Sequence, residues 1–163
     1  TDGLRSILFT MGHIPNMKEK TLRYPGHIDL MKSLIKAGFL NTEAIQYKGQ
    51  SISPLGFTSA LLFDQWKLGA TEAEFTLMTI EIKGEGKTIH YELYDEYDAV
   101  TETSSMSRTT GYTCTAALNI LMENLFTEKG VFPPELVGKH APCFEYIIKY
   151  LQERNIHYVK TES

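Results

Sequence analysis

Residues 75–97 read FTLMTIEIKGEGKTIHYELYDEY, and two strands can be traced through them. Thr76, Met78, Ile80 and Ile82 alternate with Leu77, Thr79, Glu81 and Lys83. Past the middle, Ile89, Tyr91 and Leu93 alternate with His90, Glu92 and Tyr94. A period of two marks a strand, because successive side chains point to opposite faces. Setting Ile82 against Ile89, Ile80 against Tyr91 and Met78 against Leu93 puts one apolar face on both strands. That register leaves Glu85-Gly86 as a two-residue loop, the favoured hairpin length, and Gly86 supplies the positive φ such a turn needs. One apolar face beside one half-polar face predicts an antiparallel sheet covered by helices on one side.

Outward from the hairpin, the apolar spacing changes to that of helices. Ile28, Met31, Leu34 and Ile35 share one helical face, and Gly38 suits the C-terminal cap. Pro54 suits the first turn of a second helix, with Leu55, Ala60, Leu61, Leu62 and Trp66 as its apolar set and an end near residues 67–69. A third helix is expected from residue 112 to about residue 127, with Ala116, Ala117, Ile120, Leu121 and Leu125 inward. Pro142 opens a last helix carrying Phe144, Ile147, Ile148 and Leu151, and NIHYVK reads as a short final strand. A short strand is also expected at residues 20–24, stopped by Pro25-Gly26, because proline donates no ladder hydrogen bond. Residues 40–53 and the hydroxyl-rich run TETSSMSRTTG, 101–111, read as loops, and GVFPPELVGKHAP reads as a stiff connector. Helices around a hairpin, without a regular strand–helix–strand alternation, give an α+β class: a mixed or antiparallel sheet with helices packed on one face.

With 163 residues the chain suits one domain or one domain with an appendage, and it buries a sizeable core without disulfides. Sixteen basic against 20 acidic residues give a net charge of -4, which makes no electrostatic case for nucleic acid or an anionic membrane. No apolar run approaches a membrane span and no stretch reads as a signal peptide; with the two cysteines read as reduced, a cytoplasmic protein is expected. Cys114 and Cys143 match no zinc module or disulfide framework and read as reduced, packed thiols. The scattered histidines (His13, His90, His140 and His157) argue against a metal site. The chain opens TDGLRSIL, without Met and mid-phrase, so it is expected to begin inside a longer chain.

Few residues carry chemistry in a readable pattern. No GxGxxG follows a strand, and there is no P-loop, HExxH or GxSxG. Arg23 sits just before the Pro-Gly break, and two readings stand: a guanidinium fork aimed at a ligand carboxylate, or a solvated surface charge. His27 either contacts that ligand or satisfies the start of its helix, and Arg5 either converges on the same pocket or is surface. SSMSRTTG, residues 104–111, either receives an anion at a helix start or caps the helix through Ser107, Thr109 or Thr110. Glu43, Asp95 and Glu96 have no partner that spacing names for acid–base work, and Tyr91 reads as core.

Four phrases in order carry a resemblance: KTLRYPGHIDLMKSL, PLGFTSALLFDQWKLG, SSMSRTTGYTCTAALNIL and GVFPPELVGKHAPCFEYIIKYLQERNI. Together they cover nearly the whole chain, and they resemble the C-terminal part of the saccharopine dehydrogenase-like family, closest in flavour to lysine 6-dehydrogenase. The resemblance implies a fold similar to the C-terminal domain of glyceraldehyde-3-phosphate dehydrogenase. Residues 1–103 would then be the substrate-binding and dimerisation domain. Residues 104–163 would hold helices that return to an N-terminal Rossmann domain lying outside this chain, which would hold NAD or NADP. By motif, Thr21, Leu22 and Arg23 resemble the segment contacting substrate carboxylates, with Arg5 and His27 as neighbours, and Arg108 and Thr110 fall near the cofactor. The implied activity is that of an NAD(P)-dependent amino-acid dehydrogenase, working as a homodimer and inactive as this fragment alone. A non-catalytic dimerisation or ligand-sensing module of the same fold, and a carboxynorspermidine-type reductase, are the competing expectations.

Overall fold

The hairpin of residues 75–97 folds in the expected register in the computed structural model, which describes residues 6–69 and 71–163. Strand β3 (Phe75–Gly84) pairs antiparallel with β4 (Lys87–Glu96), Ile82 opposite Ile89, Ile80 opposite Tyr91 and Met78 opposite Leu93. Glu85 and Gly86 form the loop with φ of 52° and 76°, the two positive values of a type I′ turn, whose twist matches the strands it joins. A third strand, β5 (Tyr158–Glu162), adds to the other edge of β4, so the order is β3-β4-β5 and β4 is central.

Among the described residues the chain forms two compact units: residues 16–69, and residues 6–15 together with 71–163. The second unit holds the sheet and the hydrophobic core. Helix α4 (Ser105–Met122) and helix α6 (Ala141–Gln152) supply Ala116, Ile120, Cys143 and Leu151, which bury with Leu93, Phe126 and Ile156. Leu93, Leu151 and Ile156 make one cluster; Ile120, Phe126 and Cys143 make another, and Ile147 packs against both. The inward stripe of α6 is therefore Cys143–Ile147–Leu151, spaced four apart, and Phe144 stays exposed. Helix α4 likewise buries Ser105, Arg108, Ala116 and Ile120, leaving Leu121 exposed, and Leu125 beyond its end is exposed too. The helices cover the Leu93 end of the hairpin, and Met78, Ile80 and Ile82 remain exposed. In the same unit, a single turn α1 (Ile7–Thr10) meets the short helix α5 (Pro134–Gly138), where the Ser6 and Thr10 hydroxyls donate to the Glu135 carboxylate at 3.1 and 2.6 Å.

The first unit is two helices and a small hairpin. Helix α2 (His27–Lys36) closes in a Schellman motif: Phe39 N–H donates to the Leu34 carbonyl and Gly38 N–H to that of Ile35, with Gly38 at φ 85°. Strands β1 (Ile45–Tyr47) and β2 (Gln50–Ile52) pair antiparallel around Lys48-Gly49, again with two positive φ values. Helix α3 (Pro54–Trp66) starts at Ser53, whose hydroxyl accepts from Gly56 N–H, with Pro54 in the first turn. The Thr58 hydroxyl donates to the Phe39 carbonyl at 2.8 Å and Leu55 N–H to the Asn41 carbonyl at 3.1 Å. These bonds tie the start of α3 to the chain just after α2. Among the described residues of this unit Thr58 alone is buried.

Five expectations are corrected. Residues 20–24 form no strand; a strand needs a partner ladder, and that stretch pairs with none among the described residues. Residues 40–53 are not a plain loop but hold β1 and β2. Helix α4 begins at Ser105 rather than at residue 112 and ends at Met122 rather than near residue 127, so the hydroxyl-rich run is its first turns. GVFPPELVGKHAP is no bare connector, since α5 lies within it. Of the two free thiols Cys143 is packed, whereas Cys114 is exposed.

Candidate functional site

The segment TLRYPGH lies at the start of α2 and forms a tight turn. His27 N–H donates to the Tyr24 carbonyl at 3.2 Å, with Pro25 and Gly26 as the central residues and Gly26 at φ 87°. Proline pre-sets the first central position of a type II turn, and glycine accepts the left-handed second. The turn sets Arg23 on one side of the bend and His27, the first helical residue, on the other. Arg23 is exposed, and its Nη1 donates to the Leu22 carbonyl at 3.3 Å. No carboxylate among the described residues lies within ion-pair distance of it. Thr21 and Leu22 are exposed beside it.

The helices of this unit place one more residue here. The chain just after α2 is bound to the start of α3, and the first residue of α2 also meets the last residue of α3. His27 and Trp66 accordingly face one another, ring centroids 5.9 Å apart and tilted by 48°. The sequence placed Trp66 among the inward apolar residues of its helix; its side chain is instead half exposed, with Phe63 more exposed still. Phe63, Trp66 and Lys67 line a shallow concavity beside that contact.

Arg108 has a different environment. It is 8% exposed, on the first turn of α4, and its Nε and Nη2 clasp Asp95 at 3.2 Å each. Nη1 donates to Asp98 at 3.1 Å and Nη2 also to the Arg154 carbonyl at 3.1 Å. Hydrogen bonding to Asp95 raises the arginine's already high pKa, so it stays charged. Asp98 is held below its ordinary carboxylate range by the backbone N–H groups of Thr101 and Val100, with Arg108 as a smaller cause. Sequence reasoning left Asp95 without a partner; the signal was its register position opposite Thr76, on the face that receives α4.

The start of α4 is also occupied. The Ser104 hydroxyl accepts from Ser107 N–H, and the Glu74 carboxylate accepts from Ser105 N–H. The cap is therefore Ser104 rather than Ser107, Thr109 or Thr110, and the anion at this helix start belongs to the chain itself. Thr109 donates to the Ser105 carbonyl, and Thr110 is exposed one turn above Met106. Arg5 lies outside the described residues.

The structure thus brings Arg23, His27 and Trp66 into one neighbourhood of the first unit and buries Arg108 in an ion-pair network of the second. No group of three metal-ligating side chains occurs among the described residues, and no helix there is long and apolar enough to cross a membrane. The family described as Saccharopine dehydrogenase C-terminal domain matches residues 3–156, which takes in both units and both arginine environments. A match of that extent, over the turn that carries Arg23 and the helix that carries Arg108, means that this chain belongs to the saccharopine dehydrogenase C-terminal domain family.

Proposed function

We propose that this chain is the substrate-binding part of an NAD(P)-dependent amino-acid dehydrogenase of the saccharopine or lysine 6-dehydrogenase type. The observation that carries the reading is Arg23: an exposed guanidinium presented by a Pro-Gly turn, without an acidic partner among the described residues. Such a group donates two parallel hydrogen bonds to a substrate carboxylate. Thr21, Leu22 and His27 line its approach. The role of these residues is to bind and orient the amino acid, the main protein contribution where a cofactor carries the chemistry.

The described residues do not fit a dinucleotide. No glycine-rich turn joins a strand to a helix among them, and Glu74 and Ser104 already fill the start of α4. We therefore assign NAD or NADP to a companion N-terminal domain, leave Arg108 and Thr110 as neighbours of that domain, and derive no hydride step from this chain. Residues 1–103 are proposed as the substrate and dimer region of a cytoplasmic homodimer. The exposed Met78, Ile80 and Ile82 of the hairpin supply an apolar surface for that dimer.

The test is Arg23→Ala in the complete enzyme, assayed with lysine, saccharopine and carboxylated polyamines while reduced nicotinamide is followed. The reading expects KM for the amino acid to rise about a hundredfold, the loss of a paired charge-assisted contact. An unchanged KM with full activity removes Arg23 from the site. Absence of turnover with every compound favours a ligand-sensing or dimerisation module of the same fold.

A further inference from the structure

The packed core of the second unit reaches the surface beside α5. A concavity of about 480 Å³, within the range of small-molecule sites, is lined there by Phe126, Glu128, Phe132, Leu136, Lys139 and His140. Its floor is Phe126, 7% exposed and clustered with Ile120 and Cys143. Phe132 meets that ring edge to face with centroids 5.1 Å apart, and the His140 imidazole meets it edge to face at 5.3 Å. Backbone geometry holds these walls. Gly130 lies against the Phe132 ring, where a Cβ would come to 3.3 Å. His140 N–H donates to the Val137 carbonyl, and its own carbonyl accepts from Cys143 and Phe144, which fixes it between α5 and α6. Side chains locked in this way keep a binding geometry without being ordered by the ligand. The rim carries charge of both signs. The Glu128 carboxylate stands 3.5 Å from His140 Nε2, and both side chains are about half exposed. Lys139 is exposed at the C-cap of α5, and no carboxylate among the described residues lies within ion-pair distance of its ammonium.

We infer that this concavity binds a free α-amino acid with an apolar side chain, such as leucine or phenylalanine. A neutral apolar molecule would desolvate both rim charges and pair neither. A simple anion or cation would pair with one and meet the other as a like charge. A zwitterion with an apolar chain answers all three features. Its ammonium donates to Glu128, its carboxylate accepts from Lys139, and its side chain lies against Phe126, Phe132 and Leu136. The site belongs to the second unit and Arg23 to the first, and the inference does not rest on the role proposed for Arg23. An occupant would join residues 126–132 to α5, which already holds α1 through Glu135, so binding stiffens these segments together.

The test is titration calorimetry of the 163-residue chain with leucine and with phenylalanine, and in parallel with glycine, isocaproate and isoamylamine. The inference expects saturable binding of leucine and phenylalanine. Glycine lacks the apolar chain, isocaproate the ammonium and isoamylamine the carboxylate, so each should bind at least about tenfold more weakly. Glu128→Gln and Lys139→Met change exposed rim residues and should each weaken leucine about tenfold, while Lys139→Arg keeps the charge and retains binding. Arg23→Ala should leave leucine affinity unchanged. Absence of saturable binding with both amino acids overturns the inference. So does isocaproate or isoamylamine binding as tightly as leucine, which would mean that one charge suffices. Affinity lost in Arg23→Ala and kept in both rim variants overturns it too, and would put the amino acid at the Pro-Gly turn instead. Heat that follows dilution of the protein and not addition of ligand has the same force, since a second copy would then cover the concavity.

Discussion

Arg108 grips Asp95 through two parallel hydrogen bonds of 3.2 Å, one from Nε and one from Nη2, at a place where both side chains are nearly removed from water. This pair locks helix α4 to strand β4, and Arg108 reaches on to Asp98 and to the carbonyl of Arg154 beyond the end of α6. Removing one partner strands a buried charge. Arg108→Met should therefore destabilise the chain by about 3–5 kcal/mol in urea unfolding. The double variant Arg108→Met with Asp95→Leu should recover most of that loss, because apolar replacement of a buried pair is often neutral. A double variant as unstable as the single one would show that packing at this junction, not the charge, decides the cost.

Acid should weaken the fold through two carboxylates. The Thr10 hydroxyl, then that of Ser6, holds Glu135 below its ordinary range, and backbone N–H groups do the same for Asp98. A folded-state pKa below the unfolded one adds stability that is fully present above the unfolded value. That stability is lost as pH falls through the folded value. Thermal melting should hence be flat from neutrality to about pH 5 and decline below about pH 4. Thr10→Val should soften the part of the decline that belongs to Glu135, and an identical profile for the variant would remove this linkage.

At the tip of the long hairpin, Glu85 takes the left-handed conformation at φ 52° without being glycine. Asparagine adopts that region more readily and is favoured at the first position of this turn. Glu85→Asn should stabilise the chain by a few tenths of a kcal/mol up to about 1 kcal/mol, whereas Gly86→Val should destabilise it by at least about 1 kcal/mol. Differential scanning calorimetry of both variants separates the two signs.

Gly26 offers a conformational test of the turn that carries Arg23. A Cβ there meets nothing within 4 Å, so the cost of Gly26→Ala is the positive φ alone. Stability should drop by about 1–2 kcal/mol. If the turn aims Arg23, KM for the amino acid in the complete enzyme should rise by more than the small change in kcat. Parallel changes in both constants would point to general loosening instead.

How far the sequence was legible differed by element. The β3–β4 register followed from alternation and a two-residue loop, because a one-residue slip would invert every side chain. The start of α4 did not, because serine and threonine favour caps and turns. Here Thr109, Thr113 and Thr115 each return their hydroxyl to the carbonyl four residues back, which lets the helix keep them. Residues 20–24 looked like a strand from composition, and pairing is a property of the partner, which composition does not contain. Arg23 and His27 could be named from their place beside Pro25-Gly26, but Trp66 could not. Its helical spacing pointed inward, and only the ring contact in the folded unit shows that it meets His27. The apolar content of the first unit, with Thr58 as its single buried residue among those described, gave no reliable guide to which side faces in.

The central place of β4 also sets the order in which the backbone opens. Residues 89–93 are paired with residues 78–82 of β3 on one side and with Tyr158–Glu162 on the other, and Leu93 is sealed in the core. Releasing an amide there requires parting a ladder beneath α4 and α6, whereas the outer amides of β3 and the hairpin tip need only local fraying. In deuterated water the protons of β4 should thus be the last to leave, long after those of the Tyr24–His27 turn, so the rigid frame and the turn that carries Arg23 would sit at opposite ends of the exchange timescale.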